Sequence, residues 1–97
     1  MGRKFLIHTL RDNVGVAVVG IGAGDEAEGT VMENHANVVV RVRDPIPFGH
    51  KFALVGIPQG AEVIRYGSCI GVAVVPISQG EHVHTHNVKS ARCESGK

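Results

Sequence analysis

The 97-residue chain lacks tryptophan and has one tyrosine and three phenylalanines, so aliphatic side chains must form its core. Its net charge is +1, with acidic and basic residues mixed along the chain, and this balance provides no basic patch for nucleic acid or an anionic membrane. The longest apolar run is Val16–Val19, far shorter than a membrane-spanning helix requires. We therefore expect neither nucleic acid nor a membrane among its partners.

Cysteine is also scarce. Cys69 and Cys93 show neither the CxxC pattern nor the spacing of metal ligands, so free thiols in a reducing compartment are expected. The N-terminus lacks the apolar segment and cleavage site of a signal peptide. Together these features predict a cytoplasmic protein.

What the sequence does contain is a repeated apolar unit. Residues Gly15–Glu26 recur as Gly71–His82, and a weaker copy covers Phe52–Glu62. Each copy has a short apolar stretch, a strand-breaking residue, an isoleucine and, after two more residues, a glycine. This order is typical of a strand followed by a tight turn in which glycine adopts a positive φ. The spacing of the copies is too uneven for a solenoid, so they predict a compact all-β domain.

Further alternating or β-branched segments predict additional strands. We expect at most one or two helical turns, a folded domain over residues 1–88 and a polar C-terminal tail over 89–97. The predicted strands cover residues 3–10, 30–32, 37–43 and 62–66, with the second and third forming a hairpin.

Two histidine-bearing segments carry the candidate chemistry. In Ile46–Leu54, proline and glycine form a turn that delivers His50 and Lys51 to the start of a strand. In the second segment, alternate histidines would share one face of a strand; they are His82, His84 and His86, followed by Asn87. Imidazoles in this pattern can bind a divalent metal, or can orient and protonate an acidic substrate. An ordinary loop and a solvated polar strand explain the same patterns, and the spacing alone leaves these alternatives open.

A strand rarely supplies every ligand of a metal from adjacent histidines, so His50 or a second polypeptide would have to complete a metal site. A β domain of this size also has little room to enclose a substrate alone. The sequence therefore predicts that the chain contributes part of a site.

The residues resemble a known family. The segments Ile46–Leu54, Ile57–Gly60, Val63–Gly67 and Gly80–Asn87 are similar to the SAF-type domain of the altronate/galactarate dehydratase family, and the similarity runs from about Lys4 to Arg92. In that family the domain occurs at the N-terminus of a larger enzyme or as a separate small subunit. The resemblance implies a β-clip fold, which is small, irregular and rich in strands.

The resemblance also implies a function. We expect the small subunit of a carbon–oxygen lyase that eliminates water from a sugar acid together with a large catalytic subunit, and that is inactive alone. The expected cofactor is iron(II) or a similar divalent ion such as manganese(II), bound in the complex. Alternatives are the alpha subunit of (2R)-sulfolactate sulfo-lyase, which releases sulfite, and a non-catalytic SAF module that binds carbohydrate or anions. Self-association into a homo-oligomer is a further option.

Residue roles are carried over from the same resemblance. The expected catalytic residues are His50, His84 and His86, and the last two are also the expected metal ligands. The expected substrate-binding residues are Lys51, His82 and Asn87.

Overall fold

The fold is built entirely from short β-strands. The computed structural model describes residues 2–90, and within that range it has nine strands and no helix, so the predicted all-β class is confirmed. None of the described residues forms a helix that could cross a membrane. The strands are β1 (Phe5–Ile7), β2 (Val14–Ala17), β3 (Glu26–Val31), β4 (Asn37–Arg41), β5 (Lys51–Ala53), β6 (Glu62–Arg65), β7 (Ser68–Ala73), β8 (His82–Val83) and β9 (Val88–Lys89).

These strands form two sheets. The larger has the order β4-β3-β1-β2-β5-β8, and the smaller has the order β6-β7-β9. Only the β1–β3 pair is parallel among the described strand pairs; the others are antiparallel. The predicted hairpin is confirmed as β3 and β4, with Thr30 opposite Asn37 at its closed end.

Strand β5 lies between two hydrophobic clusters. Phe52 belongs to the first cluster, where its ring meets that of Phe5 edge-on with centroids 4.9 Å apart. The next residue, Ala53, belongs to the second cluster together with Val63 and Val83. Because side chains alternate along a strand, one face of β5 serves each cluster. Consecutive residues such as Lys51 and Phe52 therefore reach opposite faces of the strand.

The repeated turn occurs four times, once more than the sequence analysis predicts. Each copy has a buried isoleucine that forms an isolated β-bridge, then two turn residues and a glycine with φ between 82° and 87°. A side chain other than glycine would be strained at that φ. The copies are Ile21–Gly24, Ile46–Gly49, Ile57–Gly60 and Ile77–Gly80.

The four turns associate in pairs. Ile21 bridges Ile46, and Ile57 bridges Ile77. Within the first pair, the Gly49 N–H donates to the carbonyl of Ala17 at 2.8 Å, and the Ala17 N–H donates to the carbonyl of His50 at 2.9 Å. These bonds fix the residue that follows each glycine against the strand of the partner copy. In the second copy along the chain that residue is His50.

Two expectations are wrong. Strand β8 ends at Val83, so His84 and His86 do not continue it. The strand ends because Asn87 closes a turn there, in which the His84 N–H donates to Asn87 Oδ1 at 3.0 Å. An Asn side chain that bonds to nearby backbone commonly replaces strand pairing in this way.

The second wrong expectation concerns Cys69, which is disulfide-bonded and is not a free thiol. Lys89 of the predicted tail pairs with Val72, and residues 91–97 lie outside the described residues.

Asp12 joins the loop after β1 to the turn between β6 and β7. Its Oδ1 accepts the Thr9 hydroxyl at 2.6 Å and the Gly67 N–H at 2.9 Å, and its Oδ2 accepts the N–H groups of His8, Thr9 and Tyr66. Burial is the largest single influence and acts to raise the pKa of Asp12, but the hydrogen bonds together outweigh it and the pKa is lowered. The ionised carboxylate therefore stabilises the fold above its ordinary pKa.

We predict that Asp12→Ala lowers the free energy of unfolding by about 2 to 3 kcal/mol, because it leaves several part-buried donors without an acceptor. Urea denaturation measures the change. Asp25→Ala is the matched control. The Asp25 side chain is exposed and accepts a hydrogen bond from the Gly22 N–H, so a loss of about 1 kcal/mol or less is expected. Equal losses in the two variants would contradict the role given to Asp12.

Candidate functional site

The two histidine segments meet at the edge of the larger sheet. His50 precedes β5, His82 begins β8, and these strands are hydrogen-bonded neighbours. His50 Nδ1 lies 2.9 Å from His82 Nε2, and their rings stack with centroids 5.1 Å apart. One ring nitrogen must carry a proton and the other must accept it for this contact to be a hydrogen bond. The contact therefore requires at least one neutral imidazole.

His84 completes a group of three. Its ring stacks on that of His50 with centroids 5.0 Å apart and lies 5.6 Å from that of His82. Ligand nitrogens of the three residues all lie within 4.8 Å of one another. We call His50, His82 and His84 the histidine trio. His50 and His82 are half-buried, whereas His84 is exposed, so the trio is open to solvent on one side.

His86 lies at the margin of the trio. Its ring is tilted against that of His82, with centroids 5.6 Å apart, and it is exposed. The metal ligands implied by the resemblance are His84 and His86. The group that comes within range of a single ion among the described residues is instead the trio, in which His50 and His82 accompany His84.

Asn87 holds the histidine segment from within. It is 1% exposed, its Nδ2 donates to the His82 carbonyl at 2.8 Å, and its Oδ1 accepts the His84 N–H. Both ends of the amide are therefore occupied by the backbone of the residues that carry the trio. This geometry gives Asn87 a positioning role, while its contact with a substrate stays a prediction.

Asp44 is a residue that the sequence analysis missed. Its Oδ2 accepts the His82 N–H at 2.8 Å and anchors the start of β8. Asp44 lies two residues before Ile46, and the other three copies of the turn have valine at that position: Val19, Val55 and Val75. The departure from the repeat was the available signal, but it becomes visible only once Ile46–Gly49 is recognised as a fourth copy.

The surroundings of His82 disfavour its protonated form. Burial lowers the pKa of His82 below its ordinary value of 6.5, and neighbouring charge on His50, His86 and His84 lowers it further, against an opposing effect of Asp44. A neutral imidazole has a lone pair available for a metal or a proton. His82 therefore remains a competent ligand at a lower pH than a free histidine.

Lys51 lies on the opposite face of the sheet from His50 and His82. In the register of β5 and β8, Lys51 is opposite Val83 and Phe52 is opposite His82. Lys51 and His84 both line an open pocket of about 450 Å³. Burial, and then the charge of Arg65, lower the pKa of the Lys51 amine. Of the residues that the resemblance assigns to substrate binding, His82 belongs to the trio, Lys51 lines the pocket and Asn87 is buried behind the histidine segment.

The chain is similar in sequence to a known family and to several known proteins. A family model described as the altronate/galactarate dehydratase SAF domain matches residues 3–91. The chain is 44% identical over 93 residues to the (2R)-sulfolactate sulfo-lyase subunit alpha of Chromohalobacter salexigens, which covers 95% of this chain and 99% of that protein. A second protein of that name, from Paracoccus pantotrophus, is 39% identical over 62 residues, or 64% of this chain and 92% of the relative.

Larger enzymes match as well. The altronate dehydratase of Escherichia coli K12 is 46% identical over 84 residues, which cover 87% of this chain but 16% of that enzyme. The altronate dehydratase of Bacillus subtilis is 40% identical over 89 residues, again 16% of its length. The chain therefore corresponds to a small part of each of these dehydratases.

We predict that stability falls as the pH is lowered through about 6.5. The folded protein holds the pKa of His82 below 6.5, so the unfolded chain binds more protons in this range and acid favours unfolding. Urea denaturation of the metal-free protein between about pH 7.5 and 5.5 measures the slope. His82→Gln should flatten it.

The matched control is His35→Asn, because His35 is exposed and Asn tolerates its positive φ of 63°. This variant should keep the slope of the parent protein. The assignment to His82 fails if His82→Gln and the parent show the same pH dependence.

Proposed function

Because the chain belongs to the altronate/galactarate dehydratase SAF-domain family, we propose that it is the small subunit of a lyase and completes the active site of a separate large subunit. The observation that carries the proposal is the convergence of His50, His82 and His84, from two distant segments, at one solvent-facing rim. A rim is suited to contributing ligands or proton donors to a pocket whose remaining walls belong to another protein.

The leading activity is elimination of water from a sugar acid. Altronate and galactarate dehydratases are among the relatives, and each carries a matching segment. Such an elimination removes the proton next to a carboxylate and expels a hydroxyl group. It needs a clamp for the carboxylate and a group that protonates the leaving oxygen. The imidazoles of the trio and the amine of Lys51, which lines the adjoining pocket with His84, provide both kinds of group.

A second activity is favoured by a specific observation. The matched segments span 99% and 92% of two relatives named (2R)-sulfolactate sulfo-lyase subunit alpha, against 16% of the altronate dehydratases. A carbon–sulfur lyase would use the same rim to clamp a carboxylate, with sulfite as the leaving group. The large subunit and its substrate decide between these activities.

The histidine trio fits a divalent cation such as iron(II) or manganese(II). Two imidazole nitrogens bound to one ion are about 3 Å apart, given metal–nitrogen distances of about 2.1 Å. The separation of His50 Nδ1 and His82 Nε2 is 2.9 Å, and nitrogens of all three residues lie within 4.8 Å. A bound divalent ion would stabilise the negative charge that develops on the substrate when the proton is removed.

The residues of the candidate site have separate tasks in this proposal. His50, His82 and His84 hold the ion through neutral nitrogens. Asp44 and Asn87 fix the backbone of the histidine segment. His86, exposed beside His82, is free to give a proton to the leaving group at the boundary with the large subunit.

Metal binding by the isolated full chain is the first test. Titration with cobalt(II), followed by its visible absorption, should show one saturable site, and His50→Ala or His82→Ala should weaken it at least about tenfold. His35→Asn, which changes an exposed histidine outside the trio, should leave the affinity unchanged. Equal affinity in all variants would exclude the trio as the site.

Turnover of the complex is the second test. The chain is co-expressed with a dehydratase-type large subunit of the same genome, and altronate, galactarate and (2R)-sulfolactate are assayed in parallel. His50→Ala and His86→Ala should each lower kcat/KM by about a hundredfold or more, while His35→Asn should not. Failure to form a complex, or full turnover in both alanine variants, would count against a lyase subunit.

A further inference from the structure

An open pocket of about 450 Å³ lies on the Lys51 face of β5 and β8. Lys51 and Val83, which are opposite each other in the strand register, both line it, whereas His50 and His82 belong to the other face. His84 follows β8 and reaches both the pocket and the ring of His50. The pocket lining consists of Lys51, Ile70, Val83, His84, Thr85, Val88, Lys89 and Ser90.

The charge of this pocket is positive. Lys51 and Lys89 are its ionisable residues besides His84, and no Asp or Glu is among the described residues that line it. A third cation, Arg65, lies close enough for its charge to lower the pKa of Lys51. Burial is the larger cause of that lowering. The Nε of Arg65 is buried and has no hydrogen-bond partner in the part of the chain that the structure describes. An anion would stabilise this group of cations.

The pocket is also partly apolar. Ile70, Val83 and Val88 line it beside the two lysines, and Thr85 and Ser90 supply its hydroxyl groups. Such a lining suits a compact charged group on a short carbon chain better than an extended polyhydroxylated chain, which would leave hydroxyls facing aliphatic surface. The ligand expected here is therefore a small headgroup, with the rest of its molecule outside the pocket.

We propose that this pocket binds the anionic headgroup of the substrate, a carboxylate or a sulfonate, between Lys51 and Lys89. His84, which belongs to the trio and also lines the pocket, sets the direction of the bound molecule, with its anionic end at the lysines and its reacting carbons towards His50 and His82. The identification of the ligand as a substrate rests on the proposed lyase function. The anion site itself does not.

A second open pocket provides an internal comparison. It has a volume of about 540 Å³ and is lined by Gly24, Arg41, Val42, Arg43, Ser78 and Gln79. There, Arg41 donates to the Gly24 carbonyl at 3.0 Å and lies 3.9 Å from the Glu26 carboxylate. Part of its positive charge is therefore already balanced, which makes this pocket a weaker anion site.

The test uses the full chain without metal and without a large subunit. Backbone amide NMR shifts are followed while sodium acetate or sodium methanesulfonate replaces sodium chloride at constant ionic strength. We expect saturable shifts at Val83, His84 and Val88 with at least one of the two anions. Lys51→Met and Lys89→Met should each weaken binding about tenfold, as expected for loss of a charge-assisted contact. Arg43→Met, which removes the same charge from the second pocket, should bind as the parent does.

The two anions separate the possible sources of the headgroup: preference for acetate indicates a carboxylate end, and preference for methanesulfonate indicates a sulfonate end. Absence of saturable shifts with both anions would overturn the proposal. So would shifts centred on Arg41 and Arg43, or equal weakening by Arg43→Met and Lys51→Met. Because no turnover is measured, anion binding can persist when the lyase function fails, and the lyase function can hold when anion binding fails.

Discussion

A buried isoleucine followed three residues later by a glycine of positive φ is the constraint on which the fold depends. The isoleucine is fixed in the core by its β-bridge to a partner isoleucine, and glycine lets the chain reverse at once without steric strain. The next residue is then hydrogen-bonded to the partner strand. Four such turns, joined in two pairs, assemble a domain of short strands that has little aromatic content. They also determine which strand lies next to the residue that follows each turn.

The candidate site lies where one turn departs from the pattern. The copy at Ile46–Gly49 has aspartate before its isoleucine and histidine after its glycine, whereas the other copies have valine at the first of these positions. Asp44 and His50 both contact His82, so the turn that stabilises the sheet also assembles the histidine trio. The contact of His50 with His82 requires a neutral imidazole, and this links folding stability and pH through one pair of nitrogens.

Local patterns predicted much of this fold, and long-range contacts account for what they missed. Alternation and the apolar repeat identified the all-β class and the hairpin of β3 and β4, because these depend on neighbouring residues. The N-terminal half of β3 is not predicted because its buried positions are the small residues Ala27 and Gly29, which give little apolar signal. The structure shows that the ring of Phe5 occupies the space of a Cβ at Gly29. Asp44 was missed because its partner is 38 residues away. The end of β8 depends on the side chain of Asn87, which strand periodicity does not report.

The contact between the rings of His50 and His82 is the most direct test of the account. In the NMR spectrum of the metal-free full chain at neutral pH, with histidine ring protons assigned by single substitutions, we predict nuclear Overhauser effects from His50 to the rings of both His82 and His84. These rings have centroids 5.1 Å and 5.0 Å from that of His50. Assigned ring signals without any cross-peak from His50 to either residue would contradict the account.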